Sequence, residues 1–289
     1  MIIPVLEGLT LTKGTVGGSD AIIFPDLDAT KDVAAEQVAL LCDRRRGIGA
    51  DALMRIVRTP NPSEWRLDVW DADGHRTEPG VLIWLAAHYL RVSGLVALDD
   101  GDSLAFGSSW VTRSGSAYAT VLPGSGPSSS DGAEQGFDVA VTLDGVEGMK
   151  GGLTIGRESV VVAVEHEDEF RAATGSAKFD PVPAAQTVVL LHPDGDTTIL
   201  DFDGVERPVT AVQVRAFARG RELYSHLTSA RDAVVALHGW AGETATGIYH
   251  VDNHGYRIEV RMIGNECEMS GTAEIVAEFM LTGIAGEGR

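Results

Sequence analysis

The sequence predicts an α+β protein built from two similar lobes. Short strand-like runs of apolar residues fill both halves of the chain, and each half holds one prominent helix. A Gly-, Ser- and Pro-rich stretch, residues 123–136, separates the halves and is typical of a flexible linker. The predicted domains are residues 1–122 and residues 137–271, and we expect a last strand within 272–289 to complete the first lobe.

The elements of the first half follow from the spacing of apolar residues. Alternating or β-branched apolar residues mark strands, whereas apolar residues three and four apart mark helices. In chain order we predict a strand over 21–24, a helix over 32–43, strands over 50–58 and 64–73, a helix over 83–92 and a hairpin over 110–122.

The second half is richer in strands and has one long helix. Thr228 or Ser229 is suited to cap that helix, because both side chains can accept a hydrogen bond from a first-turn amide. In chain order we predict strands over 137–143, 159–165, 187–193, 197–202 and 209–218, a helix over 228–240, and strands over 256–263 and 273–281.

Size and charge restrict the class of protein. The 289 residues with 44% hydrophobic content supply enough apolar side chains for two modest cores. The formal charge of −19 argues against binding to nucleic acid or to an anionic membrane, since both need a basic face. We see no signal peptide and no run long enough to cross a membrane, so we expect a cytoplasmic protein.

The segment LLCDRRRGIGADAL, residues 40–53, is the most specific motif. Its pattern predicts the end of a helix, then a basic turn, then two glycines that allow a tight backbone path into a strand. In this form it closely resembles the C-D-R-x-x-G-I-G-A-D-G-L run of the diaminopimelate epimerases. Weaker matches to that family follow in the family's order, over 12–23, 70–78, 155–164, 217–233 and 268–279.

The resemblance implies an architecture and a mechanism. In that family each lobe is a sheet wrapped around a central helix, and the active cleft lies between the lobes. Two cysteines, one from each lobe, flank the stereocentre of an amino acid and exchange its proton. The resemblance therefore implies a small-molecule substrate, a homodimer, no cofactor and no metal site.

Both catalytic cysteine positions have changed in this sequence. The first aligns with Pro79 or Gly80, neither of which can transfer a proton, and the second aligns with His226, which can titrate near neutral pH. The two cysteines present, Cys42 and Cys267, lie elsewhere, and we expect them to be small buried residues without a disulfide. Two-thiol epimerisation is therefore not expected.

The candidate site residues come from the aligned motifs. His226 is the predicted acid or base, with Glu222, Asp71 or Glu78 as its partner. Arg219 or Arg157 would anchor an oxyanion. Simpler roles stay open: His226 as a polar residue at a helix entrance, Arg219 in a surface ion pair, and Asp71 paired with Arg157. The other expected substrate contacts are Lys13, Ser19, Pro79, Gly80, Leu82, Ser159, Gln186, Thr228 and Ser229.

Three functions fit these substitutions. The first is a cofactor-independent isomerase that works without thiols on a rather apolar substrate, such as a specialised metabolite, because Val81, Leu82, Ile83 and Trp84 replace the family's anion site. The phenazine-biosynthesis isomerases, whose fold is similar, use a carboxylate in this way. The second is a cyclase, since a pericyclic ring closure needs shape and a few hydrogen bonds. The third is a non-catalytic binding homologue.

Overall fold

The computed structural model describes residues 4–123, 137–156, 159–182, 187–200, 204–218, 221–223 and 227–281. The chain divides into two compact units, one comprising the residues up to Thr120 and those from Gly271 onward, the other Val121–Ser270. Most of the predicted linker, residues 124–136, lies outside the described residues. Among the helices described, none combines the length and the apolar character that a membrane crossing requires.

The described elements are four helices, eighteen strands and two short 3-10 turns. The helices are α1 (Ala35–Cys42), α2 (Leu82–Val92), α3 (Glu167–Ala172) and α4 (Leu227–Ala241). The strands are β1 (Thr10–Val16), β2 (Ser19–Pro25), β3 (Ala52–Arg58), β4 (Glu64–Asp71), β5 (Arg76–Thr77), β6 (Ser103–Phe106), β7 (Ser109–Ser114), β8 (Ala117–Pro123), β9 (Val139–Leu143), β10 (Met149–Ile155), β11 (Ser159–Ala163), β12 (Ala177–Asp180), β13 (Thr187–Leu200), β14 (Glu206–Ala218), β15 (Arg221–Leu223), β16 (Ile248–Asn253), β17 (Tyr256–Ile263) and β18 (Glu266–Met280).

Eight strands of the first unit form a closed barrel. Pairing runs from β18 through β1, β2, β3, β4, β6, β7 and β8, and β8 pairs with β18 again. Helix α2 packs within this barrel, and most of its residues are buried. Two glycines make room for it: a Cβ at Gly14 would lie 2.5 Å from Leu85, and one at Gly271 would lie 2.8 Å from the Trp84 ring.

Helix α1 covers another face of the first unit. Its apolar side chains, Val38, Leu41 and Cys42, join a buried cluster with Ile22, Phe24 and Leu53 of β2 and β3. This arrangement explains why the helical spacing over 32–43 was readable from the sequence, because α1 is apolar on one side only.

The second unit repeats the order of connections found in the first. In the first unit the β1–β2 hairpin leads through α1 to β3, parallel to β2, then to β4, β5 and α2, and on to β6, parallel to β4. In the second the β10–β11 hairpin leads through α3 to β13, parallel to β11, with the added strand β12 between them. The chain then runs to β14, β15 and α4, and on to β16, parallel to β14. Helix α4 packs on β10, β11, β13, β14 and β17.

Some expectations need correction. The strands predicted over 187–193 and 197–202 are one strand, β13, because an irregularity between Pro193 and Asp196 lets its pairing with β14 continue. Helix α4 begins at Leu227, so Thr228 and Ser229 lie inside its first turn and the predicted capping role is wrong. Helix α3 was not predicted, and neither were the strands β1, β5, β6, β10, β12, β15 and β16.

Candidate functional site

The best preserved motif builds an ion-pair network. The Arg44 guanidinium donates to both carboxylate oxygens of Asp20, at 3.0 and 2.8 Å, and to Asp51 at 2.8 Å. Lys13 Nζ donates to the Gly49 carbonyl at 2.6 Å and pairs with Asp20 at 2.9 Å. Burial opposes ionisation of Asp20, but Arg44 and Lys13 outweigh it and hold the pKa of this carboxyl far below its usual range. Lys13 therefore has a structural role, and its expected substrate contact stays a prediction.

The entrance of α2 holds Pro79 and Gly80, the two positions predicted to align with the first cysteine of the resembled family. The amides of Leu82 and Trp84 donate to the carbonyls of Pro79 and Val81, at 2.9 and 3.0 Å. These first-turn amides are the groups that a helix start normally offers to an anion. Because they bond to their own loop and Val81 supplies no polar cap, this entrance is a weak anion site.

The apolar residues after Gly80 belong to the core of the first unit. Leu82 is 6% exposed and Trp84 fully buried. The Trp84 indole Nε1 donates to Thr120 Oγ1 of β8 at 2.9 Å, which fixes the ring inside the barrel. Trp84 therefore packs in the core of its own unit, and a substrate contact by Leu82 stays a prediction.

Two of the predicted carboxylates lie in or near the turn before α2. Asp71 ends β4 and its Oδ1 accepts the amides of Asp73 at 3.0 Å and His75 at 2.8 Å, which is the bonding of a turn residue. Glu78 is exposed and has no hydrogen bond to any other described residue. The structure thus gives Asp71 a structural task and leaves Glu78 without an orienting partner in the described part of the chain.

The remaining predicted contacts are dispersed or lie outside the described residues. Ser19 and Ser159 are buried strand residues, 9% and 1% exposed. Ser229 is 1% exposed, and its Oγ has no hydrogen-bond partner among the described residues. Thr228 is half-buried in the first turn of α4. His226, Arg219, Arg157 and Gln186 lie outside the described residues.

Glu222 has two polar neighbours, Arg215 and His254, that sequence analysis missed. Arg215 of β14 donates from Nε to Glu222 Oε1 at 2.6 Å and from Nη2 to Oε2 at 2.9 Å. The Nε2 atom of His254 lies 2.9 Å from the same Oε1. Partial burial opposes ionisation, but Arg215 and His254 outweigh it and lower the pKa of the Glu222 carboxyl below its usual value. Glu222 is therefore an ionised acceptor, which suits a base or an orienting residue better than a proton donor.

The first unit carries the same cross-strand pair with its charges reversed. In the second unit Glu222 pairs across the strands with Phe217, and Arg215 lies two residues before Phe217. In the first unit Arg76 pairs in the same way with Trp70, and Asp68 lies two residues before Trp70. Arg76 Nη1 donates to Asp68 at 2.6 Å. In each unit the arginine also lies over the intervening aromatic ring, at 4.9 Å and 4.2 Å from its centre. This repetition assigns the Arg215–Glu222 pair to the scaffold that leads into α4.

His254 has no titratable counterpart in the first unit. It and Gly255 form the two-residue turn between β16 and β17, with φ of 53° and 83°. The corresponding turn, residues 107–108, is Gly-Ser. The His-Gly pair between two strand-like runs signals a hairpin, but nothing in the sequence shows that the turn meets Glu222.

Both cysteines are buried away from the helix entrances. Cys42 ends α1 and is 3% exposed, and Cys267 lies in β18 and is fully buried. Burial raises the pKa of Cys42 to about 12 and that of Cys267 to about 11, so both remain neutral thiols at physiological pH. No group of three or more His, Cys, Asp or Glu side chains suited to a metal ion occurs in the described ranges.

Comparison with known proteins identifies relatives of part of the chain. No family model matches the sequence. Diaminopimelate epimerase of Corynebacterium glutamicum (strain ATCC 13032) is 39% identical over 122 residues, which cover 39% of this chain and 42% of that protein. The same enzyme of Mycobacterium ulcerans (strain Agy99) is 36% identical over 108 residues, which cover 32% of this chain and 37% of that protein. The chain thus spans about two fifths of the curated relatives it matches.

Solved structures match nearly the whole chain at low identity. A PhzF-family phenazine biosynthesis protein from Enterococcus faecalis superposes with a TM-score of 0.63 at 12% identity, covering 95% of this chain and 99% of that one. A structure described as a "probable proline racemase" from Agrobacterium radiobacter K84 gives 0.54 at 11% identity, covering 96% and 94%. At such identities the matches show the fold, and the predicted strand-rich α+β fold is confirmed.

Proposed function

Starting from the premise that the chain is a divergent relative of the diaminopimelate epimerases, we propose that it is an isomerase-type enzyme that works without thiols and without a cofactor. One observation carries the proposal: the entrance of α2, where the resemblance aligns the first cysteine with Pro79 or Gly80, holds no thiol, and the two cysteines of the chain, Cys42 and Cys267, are buried neutral thiols elsewhere. Its relatives are named epimerases and a racemase, whose shared task is to invert a stereocentre. We propose the same class of reaction for this chain, with a side chain other than cysteine transferring the proton.

The proposal gives His226 the role of acid or base. An imidazole titrates near neutral pH and can replace a thiol in proton transfer. Arg219 or Arg157 would hold an oxyanion of the substrate. Glu222 becomes an orienting residue rather than the proton donor, because Arg215 and His254 keep it ionised. A cytoplasmic homodimer acting on a small molecule completes the proposal.

The closed entrance of α2 supports a substrate less polar than an α-amino acid. An amino-acid carboxylate needs unoccupied first-turn amides, and those of Leu82 and Trp84 are bonded to the loop. We therefore propose a rather apolar carbon acid, such as a specialised metabolite with a single carbonyl or carboxylate group.

Solvent-deuterium exchange tests the proposal even while the product of the reaction is unidentified. The full chain is incubated in D₂O with a panel of amino acids and 2-aryl or 2-alkyl acids, and loss of the proton next to the carboxylate is followed by NMR. We expect exchange on at least one compound, about a hundredfold slower in His226→Ala and unchanged in the double variant Cys42→Ala, Cys267→Ala. Exchange that survives in His226→Ala, or that a folded double cysteine variant has lost, contradicts the assignment.

The blocked amides of α2 also favour a second candidate, a cyclase. Ring closure of an apolar substrate needs no anion site at a helix start and no proton-transfer pair. A cyclase would consume its substrate with no deuterium entering the product, whereas a non-catalytic homologue would bind a ligand without turnover. Exchange on the panel therefore favours the isomerase over both alternatives.

A further inference from the structure

Three side chains of helix α2 bond strand β8 within the first unit. Trp84 donates to Thr120 at 2.9 Å. One turn further along the helix, the Nδ1 atom of His88 lies 3.0 Å from the Tyr118 hydroxyl. Arg91 Nε donates to the same hydroxyl at 3.1 Å. Tyr118 is 1% exposed and His88 is half-buried, so one buried hydroxyl group is shared by two side chains of the same helix.

The hydroxyl proton of Tyr118 decides which nitrogen of His88 carries a proton. A guanidinium only donates hydrogen bonds, so Arg91 cannot accept this proton. Among the residues that the structure describes, His88 Nδ1 is the acceptor within reach of the hydroxyl, and burial keeps the hydroxyl from water. If Nδ1 carried a proton, a buried O–H group would be left unsatisfied, which is costly. The neutral imidazole therefore accepts at Nδ1 and carries its proton on Nε2.

Protonation of His88 removes this acceptor. An imidazolium donates from both nitrogens, so His88 and Arg91 would both donate to the Tyr118 oxygen, and the hydroxyl proton would have no partner in the core. Burial and the positive charge of Arg91 lower the pKa of His88 below its ordinary value of 6.5, although Glu274 of β18 acts in the opposite direction. The folded barrel thus favours the neutral imidazole.

The strands around α2 bring few other charges towards His88. On β7 and β1 the charged residues are Arg113 and Lys13, and each is bonded to a partner outside α2. The later part of β18 carries Glu274 and Glu278, of which Glu274 acts on His88. The charge balance at the imidazole is therefore set by one arginine of α2 and one glutamate of β18.

We propose that His88, Tyr118 and Arg91 form a pH-sensitive latch, which fastens α2 to the barrel wall at neutral pH and loosens when His88 takes up a proton. Strand β8 pairs with β18, so the latch acts where the barrel closes. Its stabilisation is complete above 6.5, the ordinary histidine pKa, and is lost as pH falls below that value towards the lower folded-state pKa. The latch needs no turnover, so its failure would leave the isomerase proposal intact.

Long-range proton–nitrogen NMR of the imidazole rings in the full chain tests the latch directly. The variant His88→Asn identifies the His88 signals by their loss. At pH 8 we expect His88 to be protonated on Nε2. Its titration midpoint should lie below 6.5 and should rise in Tyr118→Phe, which removes the hydroxyl proton. A neutral ring protonated on Nδ1, or an unchanged midpoint in folded Tyr118→Phe, would overturn the proposal.

Denaturant unfolding and amide hydrogen exchange measure the loosening. In His88→Asn the amide oxygen can take the place of Nδ1 as an acceptor that does not titrate. From pH 8 to pH 5.5, the folding equilibrium constant of the original chain should fall relative to that of His88→Asn, by at most about tenfold. Over the same range, the ratio of α2 exchange rates, original chain to His88→Asn, should rise severalfold.

The matched control is His75→Gln, which removes a histidine of the same unit whose side chain is 78% exposed. This variant should lose stability on acidification as the original chain does. An equal pH dependence of unfolding in the original chain, His75→Gln and folded His88→Asn would show that no latch operates at His88.

Discussion

The Glu222 carboxylate is shared between a guanidinium and an imidazole, and this sharing sets how it titrates. Both Glu222 oxygens accept from Arg215, and the pair is largely buried, with side chains 18% and 16% exposed. Its pKa lies below the ordinary value of 4.5 because the partners stabilise the charged form. A depressed folded-state pKa contributes stability that is complete above the unfolded value and is lost as pH falls through the folded value.

Glu222→Gln should therefore lower the free energy of unfolding in a pH-dependent way. At neutral pH we expect a loss of about 2 kcal/mol, since Arg215 keeps a buried charge without its counterion. Below pH 4.5 the difference between the original chain and the variant should shrink, because the glutamate of the unfolded chain becomes protonated before the native carboxylate, whose pKa is lower. Chemical denaturation at several pH values measures both effects.

The reversed pair in the first unit supplies the control. Arg76 is 55% exposed, and its partner Asp68 also bonds Arg55 at 2.7 Å. Arg76→Gln should consequently cost less than about 1 kcal/mol. A loss in Arg76→Gln as large as that in Glu222→Gln would show that burial of the pair does not decide these energies.

The thiols of Cys42 and Cys267 should be inert in the folded protein. Both are buried, and their raised pKa values, about 12 and about 11, leave almost no thiolate at pH 8. Titration with a thiol reagent such as Ellman's should detect close to no reactive thiol in native protein and both thiols after denaturation. Rapid native labelling of either cysteine would contradict the burial described.

The site residues divide by whether their partners are local or distant. The turn role of Asp71 rests on amides two and four residues ahead, and a turn there is readable from its Asp-Gly sequence. The contact between Glu222 and His254 joins β15 to the turn of another hairpin. The periodic spacing of apolar residues in the sequence cannot predict such a contact. Sequence analysis therefore proposed Glu222 as a site residue, which stays a prediction, and could not supply its partners.

At the scale of elements, the close packing of helix α2 requires glycine at positions of the surrounding barrel strands. Trp84 is held by its bond to Thr120, so its ring cannot move away from an added methyl group at Gly271. Gly271→Ala should cost about 1–3 kcal/mol through overpacking. In α4, a Cβ at Gly239 would meet nothing within 4 Å, and Gly239→Ala should stabilise by about 0.5–1 kcal/mol. Thermal unfolding of both variants measures this contrast in stability. Equal shifts of the two unfolding midpoints would contradict it.

The elements that sequence analysis found are those with strong one-sided patterns. Helices α1, α2 and α4 each bury one face or most of their length, and their apolar spacing marks them. Helix α3 is a single short stretch rich in acidic residues with one buried side chain, Phe170, so it has no periodic signal. Strand β16 carries alternating burial, but its HVDN sequence contains the polar residues that usually mark a turn.

At the scale of the molecule, the same order of connections occurs twice. Two similar lobes were predicted, and the order of connections is what the two units share. It was predicted only in outline, because strand pairing depends on contacts distant in sequence. The predicted domain limits and the homodimer stay predictions.

Strand β18 belongs to both units and should be essential to the first. Its early residues pair with β17, and its later residues pair with β1 and β8 to close the barrel around α2. A chain ending at Ser270 would leave β1 and β8 without this partner and expose the apolar side chains of α2 to water. We expect it to lose the buried-tryptophan fluorescence of Trp84 and to aggregate, whereas a chain ending at Leu281, with β18 whole, should unfold cooperatively like the full chain. Cooperative unfolding of the Ser270 truncation with an unchanged midpoint would show that the barrel does not depend on its closing strand.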